Sequence, residues 1–141
     1  MLASKIEINK PIIIYVDALS RDLLVAQILK QILKKKKFVV FLVSRRTYLN
    51  TIKYVKPSVY IVIKNFLKNF EEDVLKHLNN THTYVIDAEG AMSKERCEFH
   101  FTHFGIKIDK TLDIVRKVFL WNESFSKFIT TKTSISNNKI S

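Results

Sequence analysis

Residues 11–16 read Pro-Ile-Ile-Ile-Tyr-Val and pass directly into Asp17-Ala18-Leu19-Ser20-Arg21-Asp22. An uninterrupted, β-branched apolar run of this kind predicts a strand buried on both faces. Ser20 suits a helix N-cap. Asp22 suits the first helical turn, where a carboxylate meets the positive end of the helix dipole. Beyond them Leu24, Val25, Ile28, Leu29, Ile32 and Leu33 recur at helical spacing. A helix of roughly four turns follows, with these six residues as its inner face. Lys34–Lys37 close it with cations at the dipole's negative end.

The chain then repeats this strand–helix unit. Phe38–Val43 reads as a second buried strand, and Ser44-Arg45-Arg46 opens a short helix that Pro57 terminates. Val59–Ile63 is a third strand. Asn69–Asn79 is helical, with Phe70, Val74, Leu75 and Leu78 turned inward. Thr83–Ile86 is strand four. Ala91–Ile108 has no clean period and reads as loop, followed by a short helix over Lys110–Val115. Lys117–Trp121 is strand five, and Glu123–Ile129 begins a last helix. Thr130–Ser141 is polar, with no apolar face to bury, and reads as a disordered tail. The expected fold is α/β: one Rossmann-like domain over residues 1–129 with a five-stranded, doubly wound parallel sheet. An order 3-2-1-4-5 would set strands one and four side by side at the switch point, where such sheets bind ligands.

In that arrangement the edge Asp17–Asp22 faces a second edge, Asp87-Ala88-Glu89-Gly90. Gly90 is one of only two glycines and admits the sharp backbone turn that a strand exit needs. Glu89 and Asp87 are the candidate general bases, able to take a proton from an attacking hydroxyl. Asp17, Ser20 and Gly90 are candidates for holding a substrate. Arg21 could grip a phosphate or carboxylate with its planar fork. The plainer reading of Asp87 and Glu89 is turn chemistry and capping, and of Arg21 a solvated first-turn side chain.

A length of 141 residues fits one domain with a single core. Its longest uncharged apolar run falls far short of a membrane span, and residues 1–10 lack the apolar core of a secretory signal. One cysteine excludes an internal disulfide and suits a cytoplasmic location. The net charge is +11. Residues 31–70 carry ten basic side chains and no acidic one, a field that attracts nucleic acid, anionic lipid or phosphorylated substrates. A lysine-rich solvated face is the bland alternative. Cys97, His100 and His103, with His82 as a distant fourth, do not follow the usual zinc spacings, so no metal is expected. Two isolated glycines also exclude a phosphate-cradling loop, and no cofactor is expected.

Three short stretches resemble the N-terminal domain of GT-B glycosyltransferases, and more narrowly bacterial proteins of capsule and lipopolysaccharide synthesis. They are Ser20-Arg21-Asp22-Leu23-Leu24, similar to an Arg-Glu-Leu opening of a leucine-rich helix; Ile86-Asp87-Ala88-Glu89-Gly90, similar to an Asp-Glu-Glu-Gly turn; and Val118-Phe119-Leu120-Trp121-Asn122-Glu123, similar to a strand ending in Trp-Gly-Glu. Asn122 departs from that glycine. The resemblance spans residues 11–129 and implies the acceptor-side half of a glycosyltransferase in surface-polysaccharide synthesis. Its acceptor would be a carbohydrate or phosphosugar, and a partner chain or domain would supply the nucleotide-sugar site. The basic segment would bring it to the anionic inner membrane face. The competing expectations are a small basic nucleic-acid-binding module and a truncated paralogue without catalysis.

Overall fold

A computed structural model of the protein describes residues 11–64, 72–87, 114–120, 123–132 and 135–141, together with Glu95 and Glu98. Five strands, β1 (Ile12–Val16), β2 (Val40–Ser44), β3 (Val59–Lys64), β4 (His82–Asp87) and β5 (Val115–Phe119), form one all-parallel sheet. Among the described residues, the α-helices are α1 (Leu19–Lys35), α2 (Tyr48–Val55), α3 (Glu72–His77) and α4 (Glu123–Lys132). The α/β, doubly wound, single-domain architecture is the one that the alternation of strand and helix patterns predicts.

Period-two alternation divides the buried residues between two cores. On one face Ile12, Ile14, Val16, Val40, Val59, Ile61 and Ile63 pack with Ala26 of α1. On the other Ile13, Tyr15, Val43, Tyr60, Val62, Val85, Val115 and Val118 meet Ile52 of α2, Val74 of α3 and Ile129 of α4. Both faces of β1 are therefore covered, which is why its sequence is apolar at every position.

The strand order is β2-β1-β3-β4-β5, which corrects the expected 3-2-1-4-5. Strand three, not strand two, shares the sheet's interior with β1. All of Val59–Ile63 is buried, whereas β2 is an edge strand with Phe41 exposed. The two apolar runs are equally hydrophobic, and a run alone does not say on which side of β1 it lies. The switch point accordingly falls between β1 and β3.

Two further expectations change. The six apolar residues read as the inner face of α1 divide: Leu29 and Leu33 pack inward with Ala26, whereas Leu24, Val25, Ile28 and Ile32 are exposed. A stripe of six is wider than one sheet face can cover, and Asp22 and Ala26 complete the true inner row. The predicted tail is also ordered where it is described. Ile135 is buried in the larger core, Ile140 pairs in parallel with Val118, and backbone bonds join Leu120 N to Ser141 O and Ser141 N to Val118 O. Two isoleucines suffice to dock a polar segment when a strand edge offers free backbone partners.

Candidate functional site

The site is built at the carboxyl ends of the central strands. The ladder pairs Val16 with Ile63 and Lys64 with Asp87, and Asp17 N continues it by donating to Ile63 O at 3.4 Å. Asp17, Lys64 and Asp87 therefore stand in one row across three adjacent strands. With strands about 4.8 Å apart, the two carboxylate residues are about 10 Å apart across the sheet. They do not meet across a β1/β4 crevice, because β3 lies between them.

Asp17 is half-buried. The Tyr15 hydroxyl donates to its Oδ1 at 3.0 Å, and the Tyr15 ring stacks edge-on with Tyr48 at a centroid distance of 5.2 Å. Burial first, and then the Asp17 charge and its hydrogen bond, raise the Tyr15 pKa. The phenol thus stays protonated and remains a donor throughout the neutral range. Its role is to orient the Asp17 carboxylate from below.

Immediately after Asp17, the helix start differs from the expectation. Ala18, not Ser20, occupies the N-cap position in an extended conformation, without a side-chain cap bond. Ser20 is exposed within the first turn. The capping is done from inside the helix by Asp22, whose Oδ2 accepts Ala18 N–H at 3.0 Å. Arg21 closes on the same carboxylate, Nε to Oδ1 at 2.5 Å and Nη2 to Oδ2 at 3.0 Å. The Asp22 side chain is 1 % exposed, so a buried anion is satisfied by one backbone donor and a bidentate cation. The Arg21 fork is thereby committed to Asp22, and its face toward solvent is what remains for a ligand. Sequence reasoning placed Asp22 at the dipole but not as the partner of Arg21. The adjacency of the two residues is the signal that could have revealed it.

Asp87 ends β4 with its side chain fully buried, on the same sheet face as Thr83 and Val85. Its burial suits holding the strand exit rather than meeting a substrate. Glu89 and Gly90 lie outside the described residues, as do Cys97, His100, His103, Trp121 and Asn122. His82 is the first residue of β4, at the other end of the strand from Asp87. Among the described residues no helix is long and apolar enough to cross a membrane.

Among the described residues, two groups of cations stand at opposite ends of β2. Lys34–Lys37 lie where α1 returns to the start of β2, and Arg45 and Arg46 follow its end. The five-residue strand separates the two groups by about 16 Å. The chain matches no family model, no curated protein and no solved structure.

Proposed function

We propose that the protein is the acceptor-side half of a glycosyltransferase-like machine of bacterial surface-polysaccharide synthesis, with the nucleotide sugar bound by a second domain or chain. The observation that carries this reading is the row Asp17–Lys64–Asp87 at the carboxyl edge of the sheet, beside the switch point. A partly exposed carboxylate such as Asp17 accepts hydrogen bonds from sugar hydroxyls at this edge. In this reading Asp17, oriented by Tyr15, holds an acceptor hydroxyl. Asp87 anchors the strand exit, and Glu89, two residues further on, takes the proton of the attacking hydroxyl. The solvent side of Arg21 adds positive charge at the mouth. The lysine-rich opposite end supports weak attraction to anionic headgroups.

The separation of the basic groups argues against the nucleic-acid module, because a bound strand is tracked by a continuous positive groove. Titration of the purified chain with phosphosugars, nucleotide sugars and short oligonucleotides at two salt concentrations tests the proposal. Phosphosugar binding is expected to weaken on Asp17→Asn and Glu89→Gln, with the unfolding midpoint unchanged. Oligonucleotide binding that collapses with salt and ignores both substitutions would replace this reading with the basic module.

A further inference from the structure

Away from the carboxyl edge, the side of the sheet formed by β2 and α1 presents three features together. The first is an open strand edge. Ile12 N bonds Val39 O, and Ile12 pairs with Val40. In a parallel ladder with this phase, residues 39, 41 and 43 turn their backbone groups toward β1, and Val40 and Leu42 turn theirs outward. Among the described residues nothing pairs with those outward groups.

The second is a groove of about 680 Å³ beside that edge, lined by Leu24, Gln27, Ile28, Ile32 and Lys35 of α1 with Leu42 of β2. Leu24 is 67 % exposed and Ile28 53 %. Phe41, and Val39 just before the strand, are exposed on the opposite face of β2, the side of Val43. The third is charge. Residues 19–47 hold eight cations and a single carboxylate, Asp22, which is buried and closed by Arg21.

We infer that the β2 edge and the α1 groove form a docking surface for an extended, acidic segment of another protein, which adds a sixth strand beside β2. Each observation selects against a different occupant. Lipid offers no partners to the outward N–H and C=O of Val40 and Leu42, whereas an added strand pairs both. A second copy would set Lys36 and Lys37 against Arg45 and Arg46 in an antiparallel pairing, or against themselves in a parallel one. Like charges meet either way. Alternating apolar and acidic side chains would instead fill the groove with one set and face the lysine rim with the other. The opposite edge of the sheet shows the same solution in place, since β5 is covered by the chain's own Ile140 and Ser141. This inference is independent of glycosyl transfer.

The test uses the full chain and a displayed library of random twelve-residue peptides. Enriched peptides are expected to alternate apolar residues with Asp or Glu. Their affinity should fall about tenfold or more for the variant carrying Ile28→Glu and Ile32→Glu, since tenfold corresponds to about 1.4 kcal/mol. Both positions are exposed, and circular dichroism establishes that the variant is folded. A bound peptide is expected to slow hydrogen exchange at the amides of Val40 and Leu42, whereas those of Phe41 and Val43, bonded to β1, are expected to be slow with or without it. The inference is overturned if no peptide is enriched, or if the enriched peptides bind the variant equally. It is also overturned if Val40 and Leu42 stay unprotected, if the protein sediments as a dimer through this face, or if phosphatidylglycerol vesicles take it up through Ile28 and Ile32.

Discussion

The two edges of the sheet have opposite fates. At β5, residues 135–141 fold back, Ile135 enters the larger core, and Ser141 exchanges backbone hydrogen bonds with Val118 and Leu120. At β2, among the described residues, the outward backbone groups of Val40 and Leu42 are without partners beside exposed Leu24 and Ile28. An unprotected apolar edge invites pairing with other chains, and proteins normally blunt it. This chain closes one edge with a segment whose composition reads as disorder. It leaves open the other, whose composition reads as core. The lesson is that edge protection follows which backbone groups are free, not which residues are most hydrophobic.

Deleting residues 135–141 should have the largest effect on stability. The loss combines the burial of Ile135 with the pairing of Ile140, and we expect about 3–5 kcal/mol from denaturant unfolding. Full stability in the truncated chain would mean that the closed edge owes nothing to its tail. A matched pair of substitutions sharpens the contrast. Ile135→Ala should cost about 2–4 kcal/mol, as for a buried isoleucine. Ile28→Ala, on the open edge, should stay within about 0.5 kcal/mol. Equal costs at the two positions would show that the α1 stripe is covered in solution.

A pH dependence near the closed edge should be smaller. Burial, and then the Arg116 charge from β5, lower the pKa of His82. A depressed histidine releases its proton on folding, so its contribution is present above the unfolded value of about 6.5. It is lost as pH falls through the folded value. Unfolding midpoints should therefore decline as pH drops below about 6.5, and His82→Gln should flatten that part of the profile. An unchanged profile would detach His82 from the β4–β5 pair.

The smallest effect concerns the connections that lead into β2 and β3. Lys37 and Lys56 hold φ values of 65° and 46°, the left-handed region that glycine enters without steric cost. Lys56→Gly should leave stability unchanged or raise it by up to about 1 kcal/mol, read as a shift in thermal midpoint. A marked loss would show that the lysine side chain, not the backbone, matters at that turn.

Much of the fold was legible from local pattern. Continuous apolar runs marked β1 and β3, Pro57 marked the end of α2, and strand–helix alternation implied the parallel sheet. The candidate site was legible only in parts. Asp17 and Asp87 were found from their positions at strand exits, but their placement with Lys64 between them was not, because it depends on strand order. The Arg21–Asp22 pair was hidden for a related reason. Whether neighbouring side chains turn toward each other or toward solvent depends on how α1 rolls onto the sheet.

The sequence by itself determined five apolar strands, the helices between them, a basic surface and carboxylates at two strand exits. These follow from periodicity, capping chemistry and charge, which act over a few residues. The helix it predicted over Lys110–Val115 gives way at Val115, which opens β5. Only the tertiary structure decided that β3 lies beside β1, that four of the six residues of the apolar stripe on α1 remain outside, and that the polar tail seals β5. Each of those outcomes is a competition among distant segments for the same buried surface and the same unpaired backbone groups, and no local window contains all the competitors.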